Sequence, residues 1–178
     1  FHGPKGAGFM FIRKDRKILP FVHGGPQERN MRGGTENVYG IVGLGKALEI
    51  AYRDMDKHMA CIKGLKQRMI EKLKACIPGV SFHGDSDNID KSLYTVLNVS
   101  LPESDKNDML LFNLDLQGIS VSGGSACSSG ATKGSHVLAA IYPGSRRGAV
   151  RFSFSKYNTA EEIDFAASKV ADLYKVTA

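Results

Sequence analysis

The stretch Val38-Tyr39-Gly40-Ile41-Val42-Gly43-Leu44-Gly45-Lys46-Ala47-Leu48-Glu49-Ile50-Ala51, continued to Cys76, carries the clearest periodicity in the chain. Val38, Ile41, Leu44, Leu48, Ala51, Met55, Met59, Ile62, Leu65, Met69, Leu73 and Cys76 recur at steps of three or four, with Lys, Arg, Asp and Glu between them. This is one apolar face of an α-helix. Thr35-Glu36 offers its N-terminal cap and Pro78-Gly79 its stop. The run is longer than an ordinary globular helix, so it predicts a bend, a break or a link between two domains.

Outward from this helix the two sides differ in texture. Upstream, residues 7–13 (Ala-Gly-Phe-Met-Phe-Ile-Arg) predict a short buried strand, and a polar, Gly-rich connection runs from His23 to Thr35. Downstream, short elements alternate: strands near 79–83, 93–100, 119–122 and 148–154, and helices near 106–117, 134–141 and 159–175. Asn158 or Thr159 caps the last helix, and Glu161 and Glu162 sit in its first turn, where the helix dipole favours acids. Strands interleaved with helices predict an α+β layer domain. Residues 1–52 read as the tail of another unit.

The chain of 178 residues, 42% hydrophobic and 24% charged, is long enough for a real core without disulfide staples. No apolar window approaches the ~18 residues of a membrane-spanning helix. Lys and Arg exceed Asp and Glu by 24 − 18 = 6, but they are scattered. The densest basic run, Arg13-Lys14-Asp15-Arg16-Lys17, is broken by an acid and reads as a solvated turn, so no nucleic-acid surface is expected. Cys61, Cys76 and Cys127 form neither a disulfide framework nor a zinc motif, and read as reduced cytoplasmic thiols with no metal site. His58, His83 and His136 do not cluster and read as surface or structural.

Three constellations could carry chemistry. His23-Gly24-Gly25-Pro26-Gln27-Glu28-Arg29-Asn30-Met31-Arg32-Gly33-Gly34-Thr35 places paired glycines, arginines and a hydroxyl ahead of a helix. It is either an anion site, phosphate being the usual guest, or a flexible loop leading to a cap. Ile119-Ser120-Val121-Ser122-Gly123-Gly124-Ser125-Ala126-Cys127-Ser128-Ser129-Gly130 carries a strand into a loop of small residues centred on Cys127. Cys61 and Cys76 fit the burial habit of free cysteine on or near the apolar helical face, whereas Cys127 has no apolar neighbours. It is either an ordinary loop cysteine or an accessible nucleophile. Arg147-Gly148-Ala149-Val150-Arg151-Phe152-Ser153-Phe154 puts Arg151 inside an otherwise apolar strand, where a charge needs an anion, edge solvent or a partner acid. A bidentate grip on a substrate carboxylate and a structural ion pair both satisfy it.

Taken in order, Gly3-Pro4-Lys5-Gly6, His23-Gly24-Gly25 through Arg32-Gly33-Gly34-Thr35, Ser122-Gly123-Gly124-Ser125-Ala126-Cys127 and Arg151-Phe152-Ser153 resemble the C-terminal part of the cysteine desulfurases. These are pyridoxal-phosphate enzymes of fold type I, related to the class V aminotransferases. The Ser-Gly-x-Ser-Ala-Cys loop is similar to that of the group with the longer mobile cysteine loop. The resemblance implies the small C-terminal α+β domain of a fold type I enzyme, residues 53–178, preceded by the end of its α/β cofactor domain, residues 1–52. It implies that Cys127 attacks the sulfur of the bound substrate and becomes a persulfide while alanine leaves. It further implies that Arg151 holds the substrate carboxylate, and that Thr35 contacts the cofactor phosphate across a homodimer interface. The implied substrate is L-cysteine, and the implied partners are iron–sulfur scaffold or other sulfur-acceptor proteins. Selenocysteine lyase, another class V reaction, or a non-enzymatic persulfide carrier are the alternatives.

Two departures accompany the resemblance. The family's Schiff-base lysine stands directly before the segment matched by Phe1, and Lys5 matches a separate lysine. A chain that opens inside a motif is therefore expected to be a piece of a longer polypeptide, inactive alone. Before Leu97-Asn98-Val99-Ser100 the family often has proline, where this chain has Tyr94-Thr95.

Overall fold

The computed structural model describes residues 1–124 and 135–174. The backbone separates into two compact units, Phe1–Met55 and Asp56–Ala178.

In the first unit the single turn α1 (Gln27–Asn30) is followed by helix α2 (Val38–Arg53). The cap of α2 is Asn37 rather than Thr35: its Oδ1 accepts from Gly40 N at 3.1 Å, a bond that Thr35 stands too early to make. A Cβ at Gly40 would lie 3.1 Å from Ala7 Cβ, and one at Gly43 would lie 3.1 Å from Pro4 Cγ. The small residues of α2 thus let the leading segment lie directly on the helix. Residues 7–13 form no strand, and Phe9, Met10 and Phe11 are 73%, 68% and 83% exposed. An apolar run becomes a strand only where another strand accepts its hydrogen bonds, and no described residue of this unit is in one. The basic run 13–17 is the exposed turn expected of it, with Arg13 Nε donating to Asp15 at 2.9 Å.

The long helical run breaks at Asp54 (φ −107°, ψ 12°), which takes a bidentate pair of hydrogen bonds from Arg53 at 2.9 and 2.7 Å. Helix α3 (Met55–Cys76) follows, and its buried side chains are Ile62, Leu65, Lys66, Met69, Ile70 and Leu73. Val38, Ile41 and Met55 are exposed, so only the second half of the periodic stripe enters a core.

The second unit is built on a sheet of three antiparallel strands in the order β1 (Ser81–Phe82), β2 (Val96–Glu103), β3 (Arg147–Ser153). Cross-strand pairs Leu97↔Phe152, Val99↔Val150 and Leu101↔Gly148 put one face into the core, and the period of two sends Asn98, Ser100, Ala149 and Arg151 to the other. The core also takes Leu110 and Leu114 of α4 (Leu110–Asp115) and Ile163, Ala167, Val170 and Ala171 of α6 (Ala160–Tyr174). A 3₁₀ turn (Asp105–Met109) leads into α4, and α5 (His136–Ile141) precedes β3. The run 119–122, expected as a strand, contributes only the isolated bridge Ser122↔Arg151.

Polar groups tie these parts together. Lys66 is fully buried, and its Nζ donates to Ser92 Oγ at 2.8 Å and Leu93 O at 3.0 Å; burial lowers its pKa. With Lys74–Asp87 at 3.0 Å it fastens the connection between β1 and β2 onto α3. Arg147 donates to Gly79 O at 2.7 Å, Ser100 Oγ at 2.8 Å and Ser100 O at 2.9 Å. This satisfies its charge with neutral acceptors. His83 is half-buried against the Tyr142 ring, and burial, then the Arg147 charge, lowers its pKa.

Candidate active site

Arg151 stands near the middle of β3, on the face of the sheet away from the core, opposite Asn98 of β2. On its other side it meets Ser122. Arg151 N donates to Ser122 O at 2.6 Å, Ser122 N donates to Arg151 O at 3.2 Å, and Arg151 Nε donates to Ser122 Oγ at 3.0 Å. The side chain is half-buried and, among the described residues, has no carboxylate partner. Of the two ways to satisfy this charge, the internal ion pair is therefore not used by the described residues. Beside Arg151 lies a cavity of about 70 Å³, lined by Asn98, Gly123, Gly124, Ser135, Leu138, Ala149 and Val150 as well. One cation, one amide and a wall of small residues suit a carboxylate on a small molecule.

Helix α5 begins at this cavity: Ser135 Oγ accepts from Leu138 N at 3.3 Å and caps it. Cys127 lies outside the described residues. The described chain runs into that segment through Gly123 and Gly124 and resumes at Ser135, all three on the cavity wall. Asn98, Ser122 and Ser135 are candidate site residues to which sequence reasoning gave no role. Only their register and their hydrogen bonds single them out.

Thr35 belongs to the first unit and is exposed. The loop ahead of it has a definite build. Gly33 N donates to Val22 O at 2.9 Å, and a Cβ on Gly33 would meet Gly24 N at 2.6 Å and Gly24 Cα at 2.7 Å. The glycine pairs therefore serve a backbone crossing that no larger residue could share. Within the loop, Glu28, Arg29 and Asn30 adopt left-handed φ of 48°, 57° and 64°. Gln27 Oε1 accepts from Gly34 N at 3.1 Å.

Two expectations about thiols need correction: Cys61 and Cys76 are both exposed. On α3, Cys61 falls one residue before buried Ile62 and so off the buried stripe, whereas Cys76 keeps the spacing but is the last residue of the helix. Among the described residues no group of three or more His, Cys, Asp or Glu could hold a metal ion, and no helix is long and apolar enough to cross a membrane.

A family profile described as aminotransferase class-V matches residues 1–165. The chain belongs to the class-V aminotransferase family, whose enzymes depend on pyridoxal phosphate. Within that family it is similar to cysteine desulfurase IscS of Dictyoglomus turgidum, 42% identical over 167 residues that cover 93% of this chain and 41% of the relative. Putative cysteine desulfurase IscS 1 of Bacillus subtilis is 40% identical over 177 residues, covering 98% of this chain and 46% of the relative. The solved structure of a NifS-like protein superposes with a TM-score of 0.79 at 36% identity, over 97% of this chain and 43% of the other. A NifS-like protein from Rickettsia africae superposes with a TM-score of 0.72 at 29% identity, over 90% and 41%. The α+β class is thus shared with these structures, and the chain spans less than half the length of the curated relatives it matches.

The residues at the cavity can be tested against the cofactor. None of the lining residues is a lysine, so none could hold pyridoxal phosphate covalently. Buried Lys66 is committed to Ser92 and Leu93. The cavity suits a carboxylate, and its lining offers the cofactor no covalent anchor.

Proposed function

We propose that this chain is part of a cysteine desulfurase, an enzyme that removes sulfur from L-cysteine, leaves L-alanine, and carries the sulfur as a persulfide on Cys127. The observation that carries the reading is Arg151: a half-buried guanidinium with no carboxylate partner among the described residues, facing a small cavity at the base of the segment that bears Cys127. Similarity to proteins named cysteine desulfurase at about 40% identity supports it.

In this reading Arg151 binds the substrate carboxylate through two parallel N–H···O bonds and fixes the orientation of the amino acid. Cys127, as thiolate, takes up the substrate's sulfur. Thr35, which does not cap α2, contacts the cofactor phosphate in a homodimer. Residues 1–52 end the cofactor domain and 53–178 form the small domain. The persulfide passes to an iron–sulfur scaffold or another sulfur-acceptor protein in the cytoplasm, a reducing setting that suits a working thiolate and the exposed thiols Cys61 and Cys76.

The test is steady-state kinetics of the full-length enzyme. Cys127→Ala should abolish persulfide formation and alanine release from L-cysteine. Selenide release from selenocysteine that survives this substitution would favour the selenocysteine lyase reading. Arg151→Ala should raise KM for L-cysteine by a factor on the order of a hundred, the loss of a charged bidentate contact. An unchanged KM would remove Arg151 from substrate binding.

A further inference from the structure

Arg151 does not reach its cavity alone. Asn98, Arg151 and Ser122 occupy neighbouring positions across the sheet, with Arg151 paired to Asn98 in the β2–β3 ladder and to Ser122 in the isolated bridge. Directly opposed residues of antiparallel strands project from the same face, so the three side chains form a row under the cavity. A guanidinium has two edges that can take a carboxylate in parallel, one through Nε and Nη and one through both Nη atoms. Ser122 Oγ occupies Nε at 3.0 Å. Among the described residues no acceptor stands on either Nη. The edge made by Nη1 and Nη2 is left for a ligand.

We infer that Ser122 is the positioning residue for the carboxylate clamp: its hydroxyl takes the Nε proton donor of Arg151, closes the side edge, and presents the end edge to the substrate carboxylate. This rests on the reading of Arg151 as a carboxylate contact. An arginine side chain loses rotamer freedom when it is held, and here the hydroxyl holds it before substrate arrives. The same residue stands three positions before the segment that bears Cys127, so the clamp and the root of that segment share one anchor. The side-chain bond adds to a backbone bridge that is already closed in both directions, so removing it alters the aim of Arg151 without detaching the strand.

The experiment compares Ser122→Ala, Ser122→Thr and Ser122→Val in the full-length holoenzyme, with Arg151→Ala as reference. Loss of one hydrogen bond to a charged group predicts that Ser122→Ala and Ser122→Val raise KM for L-cysteine on the order of tenfold. The effect should fall on KM, with kcat moved by no more than about twofold. Ser122→Thr, which keeps a hydroxyl, should return KM close to the parent value. Thr and Val have the same shape, so the gap between them reads the hydroxyl even if the alanine variant folds poorly. Equal KM values in the Thr and Val variants, with Arg151→Ala raising KM, overturn the positioning role and leave the clamp standing. An unchanged KM in Arg151→Ala overturns both.

Discussion

Arg147 and Arg151 show how differently one strand can use the same residue type. Both project from the non-core face of β3, four residues apart. Arg147 is spent on carbonyl and hydroxyl oxygens of Gly79, Ser81 and Ser100, which makes it a brace between β1, β2 and β3. Among the described residues the Arg151 side chain has only the hydroxyl of Ser122, and the residue lines a cavity. Lysine at position 151 would keep the charge and lose the planar fork, so Arg151→Lys in the full-length enzyme should leave KM raised nearly as far as Arg151→Ala does. At the same scale, Gly148 admits no side chain: a Cβ there would lie 2.8 Å from Asn107 Oδ1 and 3.1 Å from Leu110 Cδ2. Asn107 cannot yield easily, since its amide donates to Pro102 O and Arg146 O, each at 3.0 Å, and its Oδ1 accepts from Tyr174 OH at 2.5 Å. Gly148→Ala should therefore cost about 1–3 kcal/mol, read as a lower urea midpoint at unchanged slope.

Among the elements, α6 has the best-defined beginning. Thr159 Oγ1 accepts from Glu162 N at 3.2 Å and Glu162 Oε2 accepts from Thr159 N at 3.1 Å, a reciprocal capping box. Thr159→Ala should cost about 1 kcal/mol, seen in denaturant unfolding. This cap was legible because both partners lie within one turn. The pairing of α6 with α3 was not, because it joins residues 96 apart: Arg68 grips Asp164 with two bonds of 2.6 and 2.7 Å, and Lys72 adds a contact of 3.2 Å. These cations, Arg68 foremost, hold the Asp164 pKa at about 2 against an ordinary 3.8. A depressed carboxylate contributes stability above its unfolded pKa and loses it as pH falls. Native stability should therefore decline as pH falls from 3.8 toward about 2, and Asp164→Asn should flatten that limb of a urea-midpoint profile against pH. Elements that depend on distant partners were misjudged in the same way. Residues 7–13 and 119–122 are apolar and β-branched enough for strands, but pairing is settled by what stands alongside.

At the scale of the molecule, the core belongs to the second unit: every buried hydrophobic side chain among the described residues lies between Ile62 and Ala171. The first unit exposes Phe9, Phe11, Leu19, Phe21 and Tyr39, each more than 70% accessible. Hydrogen exchange should separate the two, with amides of β2, β3 and α3 protected and those of residues 7–13 exchanging close to the rate of an unstructured chain. Local signals read along the chain were sufficient for the α+β class, the helical run and its break, the capped final helix, and the residue types that stand out chemically. They sufficed because helix periodicity, caps and turns depend on neighbours a few residues away. Which arginine is braced and which faces the cavity, and that Ser122 stands beside Arg151 across 29 residues, came only with the folded sheet. A side chain's partner is set by strand register, and register is a property of two segments together.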